Sequence, residues 1–227
     1  MRLALVALFV ALCGGGASAQ PTAGAAEPPA SYGEAIRWYG KAARSGSAKA
    51  QYLLAVMLET GQGRPRNPQR AARWYARAAA QGHARAQLRL GWLHQAGKGV
   101  PRDPATAASL YADAAAKGLP EAAFNLGYLY EHGDGIPADS ARAASLYRQA
   151  AETGLGEAQL NLGLLLAARR DDRSSLKEGF LWTSLAAAQG VPGAGSAQDS
   201  LRDALSAAEL AEVRRRLALH RNGQPRR

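Results

Sequence analysis

The stretch Trp74-Tyr75-Ala76-Arg77-Ala78-Ala79-Ala80-Gln81-Gly82 decides the fold, because its skeleton returns every 36 residues: a bulky pair, a double alanine, a closing glycine. Trp38-Tyr39 with Ala42-Ala43 and Gly46 precedes it. Leu110-Tyr111 with Ala114-Ala115 and Gly118, then Leu146-Tyr147 with Ala150-Ala151 and Gly154, follow it, and Trp182, Ala186-Ala187 and Gly190 preserve a fifth copy. A fixed period of this length marks one supersecondary unit stacked on copies of itself, since a single unit cannot bury its apolar face alone. The expected fold class is all-α: an α/α solenoid, or superhelix, of about four 36-residue helix-pair repeats with terminal capping helices.

Within each unit the second helix reads most clearly. From Pro68 to Ala80, Ala71, Trp74, Tyr75, Ala78 and Ala79 fall on one face of a 3.6-residue period. Asn67, Asp103 and Asp139 stand where an N-cap belongs, and Pro68 and Pro104 take the first helical position, where no amide partner is needed. Gly82, Gly118 and Gly154 come just past the helix end, where a left-handed cap is wanted. The first helix covers about Ser47 to Thr60, His83 to Ala96, Leu119 to His132 and Leu155 to Ala168. Its core stripe is Ala50-Leu54-Met57, Ala86-Leu90-Leu93 and Ala122-Leu126-Leu129. Gly91, Gly127 and Gly163 recur inside it at a cost of roughly 1 kcal/mol each against alanine. That cost is tolerated where a ring of the neighbouring helix must come close, and Ala55 obeys the same size limit.

The loop Gly97-Lys98-Gly99-Val100-Pro101-Arg102-Asp103 is echoed at 133–139 and more loosely at 61–67, with a helix-capping glycine and a proline before the next N-cap. Arg169 to Ser175 replaces it in the fourth unit without any glycine, as expected near the end of an array. Val191 to Gly195 then breaks the pattern, a short helix follows, and Ser206-Ala207-Ala208-Glu209 forms a capping box that opens a last helix to about Leu219.

The N-terminus has a different logic. Arg2, the apolar run Leu3 to Leu12 and Ala17-Ser18-Ala19 match a secretory signal peptide cleaved before Gln20, too short to span a bilayer as a helix. Lipidation at Cys13 is the alternative, against which Leu12 stands where a lipobox wants a small residue. Cleavage removes the one cysteine and with it thiol chemistry and cysteine-rich metal sites. No other run is long and apolar enough to span a membrane. The expected segments are a leader at 1–19, a Pro/Ala/Gly linker at 20–30, the repeat array at 31–190, capping helices at 191–219 and a basic tail at 220–227. Loss of the leader takes only Arg2 from 28 basic against 18 acidic residues, leaving a net charge of +9. Export argues against nucleic acid as the partner of that charge. It serves either solubility or attraction to an anionic envelope component.

A Leu-Gly in the first helix, a Gly-x-Gly-hydrophobic-x-x-Asp loop and a Tyr-x-x-Ala-Ala-x-x-Gly ending, recurring together in register over residues 31–190, resemble the Sel-one-like repeat (SLR) family, relatives of the tetratricopeptide repeats. The resemblance implies an adaptor or scaffold in signalling or the cell envelope. One cysteine-rich bacterial branch of that family is linked to penicillin binding and β-lactamase activity, but the paired cysteines of that branch are missing here.

Candidate chemistry is sparse. Ser174-Ser175-Leu176-Lys177 reads as the Ser-x-x-Lys of penicillin-recognising enzymes, yet no Ser-Asp-Asn or Lys-Thr-Gly accompanies it, and Ser174 is a natural N-cap. His83, His94, His132 and His220 lack an i+4 ligand partner, and Asp134 and Asp171-Asp172 lack calcium-loop spacing. The sequence thus offers no catalytic, cofactor-binding or metal-binding residue. What remains is the groove that first helices line in this class of solenoid. Its candidate partner-binding residues are Lys49, Tyr52, Arg85, Arg89, Trp92, Glu121, Asn125, Tyr128, His132 and Asn161, with Leu53, Val56, Leu88, Gln95, Phe124, Glu131, Glu157, Leu160 and Leu164 beside them. Rings next to arginines and asparagines suit a protein or extended peptide; the same rings also suit simple packing between helices. The expected function is an exported, non-catalytic protein-interaction module, with a cell-wall hydrolase and a binder of anionic envelope polysaccharide as alternatives.

Overall fold

A computed structural model of the chain describes residues 32–63, 65–168 and 172–223. The expected leader and linker, with Ser31, Arg64, Arg169 to Asp171 and the last four residues, lie outside the described residues. Among those described, every regular element is an α-helix: α1 (Tyr32–Arg44), α2 (Ala48–Thr60), α3 (Pro68–Ala80), α4 (Ala84–Ala96), α5 (Pro104–Ala115), α6 (Pro120–His132), α7 (Ser140–Glu152), α8 (Gly156–Ala167), α9 (Arg173–Ala188), α10 (Ala194–Arg202) and α11 (Ala207–Gly223). From α1 to α10 each packs on the next in chain order, and α11 returns to pack on α9. The units are therefore α2–α3, α4–α5, α6–α7 and α8–α9, with α1 covering one end and α10 and α11 the other.

The caps form largely where the polar pattern puts them. Asn67 Oδ1 accepts from the Arg70 amide at 2.9 Å, Asp103 Oδ1 from Thr106 at 3.0 Å and Asp139 Oδ1 from Arg142 at 2.9 Å. The first helices start one residue later than their periodicity suggests, because Ser47 and His83 are N-caps rather than helical residues: Ser47 Oγ and His83 Nδ1 accept from the Ala50 and Ala86 amides. A second correction concerns Ser174. The cap of α9 is Asp172, whose Oδ1 accepts from the amides of both Ser174 and Ser175, because a carboxylate two residues upstream outcompetes the hydroxyl.

The core follows the alanine pattern. Tyr75, Tyr111 and Tyr147 are fully buried, and the alanines that follow each of them line the core beside them. Trp74 is only half-buried, and Ala72 takes its place on the buried stripe of α3. A Cβ on Gly91 would meet the Tyr111 ring at 2.8 Å, and one on Gly127 would meet the Tyr147 ring at 2.9 Å, which is why glycine stands there. Gly163 breaks that rule. Its Cβ would meet Thr183 Cγ2 at 2.6 Å and the Gly179 carbonyl at 2.9 Å, so here backbone replaces the ring. The second loop glycines have a reason of their own: a Cβ on Gly99 or Gly135 would strike the start of the preceding unit's second helix, Pro68 and Pro104, at 2.5 Å.

The last helix outruns its expected end. α11 continues past Leu219 to Gly223, so the first part of the supposed tail is helical, and His220 meets Trp182 edge-on at 5.9 Å. Ser206 and Glu209 form the capping box in both directions. Arg173 grips Glu209 through two nitrogens and donates to the Ala204 carbonyl at 3.0 Å, while Lys177 pairs with Glu212 at 2.8 Å. Val213 is fully buried against this seam. Phe180 to Ser184 form an unbroken buried run because α8 covers α9 on one side and α10 and α11 on the other.

Candidate partner-binding face

The first helices α2, α4, α6 and α8 repeat the same positions, and their face is built on a polar ladder. Tyr75, Tyr111 and Tyr147 send their hydroxyls up between successive first helices. Tyr75 donates to Glu59 Oε2 at 2.7 Å, Tyr111 to Gln95 Oε1 at 2.8 Å and Tyr147 to Glu131 Oε2 at 2.7 Å. On the far side of each hydroxyl stands a residue of the following first helix. Arg89 donates to Glu59 Oε1 at 2.5 Å, Asn125 hydrogen-bonds Tyr111, and Asn161 Nδ2 donates to the Tyr147 hydroxyl at 3.4 Å. Burial pushes all three tyrosines well above the usual phenol range, and the carboxylates beside Tyr75 and Tyr147 push further. Burial alone would lower Arg89, but Glu59 and Tyr75 outweigh it and hold the guanidinium charged. The ladder ends at Thr183, which occupies the next tyrosine register and turns its hydroxyl back to the Gly179 and Phe180 carbonyls.

Arg89, Asn125 and Asn161 are thus part of the floor, not free anchors. Tyr52 and Phe124 also belong to the packing: Tyr52 lies 5.9 Å from Tyr75 and stacks on His83 at 4.7 Å, and Phe124 lies 5.6 Å from Tyr147. Burial lowers the His83 imidazole from its usual range, which suits its role as a neutral cap acceptor. Above the floor runs a row at one repeat position, Val56, Trp92, Tyr128 and Leu164. Tyr128 is 40% and Leu164 48% exposed, while Val56 and Trp92 are half-buried. Trp92 carries the Lys98 ammonium 4.5 Å from its ring centroid and the Arg89 guanidinium at 5.5 Å. Tyr128 stacks on His132 at 4.1 Å. Lys49, Arg85 and Glu121 sit apart, exposed in the first turn of their helices.

A second ladder went unread in the sequence although its period is the same. Gln51, Gln87 and Gln159 are buried and donate to the Ala43, Ala79 and Ala151 carbonyls. Their Oε1 atoms accept from Gln81, Lys117 and Gln189 of the following turn. Alignment of polar residues at 36-residue spacing would have exposed both ladders. In the Ser-x-x-Lys segment Lys177 pairs with Glu212 at 2.8 Å and the Ser174 amide donates to Asp172. Among the described residues no group of His, Cys, Asp or Glu is placed to hold a metal, and no helix is long and apolar enough to cross a membrane.

Stacked helix pairs in 36-residue register, tied by ladders between units, define an α/α solenoid repeat protein. A family model for the Sel1 repeat matches residues 23–47, 48–83, 84–119, 120–155 and 156–191, and the chain belongs to the Sel1 repeat family. It is similar to the crystal structure of c5321, a protective antigen of uropathogenic Escherichia coli strains displaying an SLR fold. That likeness has a TM-score of 0.73 and 28% identity over 84% of this chain and 42% of that one. It is also similar to a Sel1 repeat protein from Oxalobacter formigenes, with a TM-score of 0.65 and 34% identity over 73% of this chain and 66% of that one. The chain therefore spans less than two thirds of either. No curated protein matches it in sequence.

Proposed function

We propose that this protein is an exported, non-catalytic interaction module whose first-helix face holds an extended segment of a partner protein. The observation that carries the reading is the apolar row Val56, Trp92, Tyr128 and Leu164. Its four members share one repeat position, Tyr128 and Leu164 exposed and Val56 and Trp92 half-buried, over a floor whose polar groups are already engaged with one another. A repeat family built on protein interaction supports it, as does the Ala17-Ser18-Ala19 leader end for export. The test compares what co-purifies from the cell envelope with the wild-type chain, with Trp92→Ala, with Tyr128→Ala and with Arg73→Ala, an exposed change on α3. Each ring change is expected to weaken the partner about fivefold or more, equivalent to about 1 kcal/mol, and Arg73→Ala to leave it unchanged. Equal retention by all four proteins refutes the face. A purified extracytoplasmic form beginning anywhere but near Gln20 refutes the leader.

A further inference from the structure

Where each second helix turns into the next first helix, the solenoid has a continuous edge. Neighbouring turns along it touch: Gln81 donates to Gln51, Lys117 Nζ lies 2.8 Å from the Gly82 carbonyl oxygen, and Gln149 donates to Ala115. The charges on this edge are segregated by sign. The first two turns carry Lys41, Arg44 and Lys49, then Arg77 and Arg85. The next two carry Asp113 and Glu121, then Glu152 and Glu157. All nine are exposed, and among the described residues none enters an ion pair, although the rest of the solenoid uses pairs such as Arg89–Glu59, Arg102–Asp134 and Arg148–Glu178 to tie unit to unit. Among the described residues of this edge Lys117 is the one base in the acidic half, and it is bonded inward to Gln87 and the Gly82 carbonyl.

The helix dipole does not account for the pattern. It favours acids at helix N-termini and bases at C-termini in every unit alike. Here Lys49 and Arg85 stand at N-termini, and Asp113 and Glu152 in last turns, each against its dipole. Sign follows position along the solenoid. A row reading plus, plus, minus, minus is its own complement under a half-turn about its midpoint, which is the condition for an isologous contact.

The geometry points to this edge as a self-association surface: two copies pair antiparallel about a two-fold axis between the second and third turns, setting Lys49 against the partner's Glu157 and Arg85 against the partner's Glu121. Arg44 then faces Glu152, and Arg77 faces Asp113, each contact being made twice. The facing groups are exposed charges, so association is weak and salt-sensitive. This inference concerns a different surface from the apolar row and stands independently of it.

Sedimentation equilibrium of the purified chain tests it. In about 20 mM salt a reversible dimer is expected, with its dissociation constant rising about tenfold or more by 500 mM as the Debye length shrinks. The double variant Lys49→Glu/Arg85→Glu and the double variant Glu121→Lys/Glu157→Lys should each be monomeric alone at low salt, with wild-type helicity by circular dichroism. Mixed in equal amounts they should form a heterodimer, and the quadruple variant, in which the signs at 49, 85, 121 and 157 are all exchanged and every facing pair is again opposite in charge, should dimerise. A wild-type monomer at low salt overturns the proposal. A dimer indifferent to the double variants, or one not regained on mixing or in the quadruple variant, overturns it equally.

Discussion

Gly127→Ala is the sharpest perturbation of the packing argument, because it adds one carbon where the structure leaves no room. The new Cβ would lie 2.9 Å from both Cδ1 and Cε1 of Tyr147 and 3.4 Å from the Ala143 carbonyl oxygen. The ring cannot swing aside freely: it is fully buried, and its hydroxyl is held by Glu131 at 2.7 Å. Overpacking of this kind costs about 1–3 kcal/mol, while alanine in place of a helical glycine returns roughly 1 kcal/mol. The expected net loss is therefore about 1 kcal/mol, and Gly127→Leu should exceed it. Gly40→Ala is the control. It also lies inside a helix, but its nearest neighbour is Arg44 Nη1 at 3.6 Å, a contact that a flexible side chain relieves. It should gain up to about 1 kcal/mol from propensity alone. Urea unfolding followed by helical circular dichroism gives the comparison. A Gly127→Ala protein as stable as wild type, or shifted in the same direction as Gly40→Ala, would refute the close-approach account.

Two further outcomes follow from the end cap and the buried glutamines. Arg173 first, then Ser206, hold the Glu209 carboxyl down at about 2, below the ordinary carboxylate value. A depressed group stabilises fully above its unfolded value and loses that contribution as pH falls through the folded one, so the protection of amides 207–213 relative to their intrinsic exchange at each pH should fall between about pH 4.5 and pH 2. Glu209→Gln should flatten the dependence; identical profiles for both proteins would remove Glu209 from the cap. Gln159→Leu severs the bonds to the Ala151 carbonyl and from Gln189, at 3.1 and 2.8 Å, and should cost about 1–3 kcal/mol in the same urea assay. Gln189→Ala, which removes only the exposed partner, should cost less; the reverse order would show that the buried amide is not the anchor.

The fold was legible because its determinants are local and periodic. Asn67, Asp103 and Asp139 cap through their own neighbours, and Gly91 and Gly127 announce a close ring by recurring where a helix disfavours them. The face was legible only as a set of positions. Which of them point outward depends on bonds between residues 30 apart, such as Arg89 to Glu59, and helical periodicity within one unit carries no information about these. Tyr52 and Trp92 illustrate the limit: both lie on first helices, yet the first packs on Tyr75 and His83 while the second carries cations on its open side. The fourth unit misled for a related reason. Thr183 replaces a tyrosine, so Gly163 faces Gly179 and the helices are set by backbone contact instead of a ring.

The ladder also constrains how the face can be used. Each tyrosine hydroxyl bridges consecutive first helices, so the spacing of Trp92, Tyr128 and Leu164 is fixed from below before anything binds. A partner segment meeting a preformed row loses its own conformational freedom on binding without ordering the receptor as well. The same coupling separates two kinds of substitution. Arg89→Ala would strip Glu59 of its cation and leave the carboxylate with the Tyr75 hydroxyl, breaking a tie between α2 and α4 as well as altering the surface. Trp92 lies under the Arg89 and Lys98 cations and Tyr128 stacks on His132, and neither ring is a partner in the hydroxyl bonds of the ladder, so their truncation leaves those bonds in place. Binding lost with Arg89 but kept with both rings would therefore indicate a damaged scaffold and not an emptied groove.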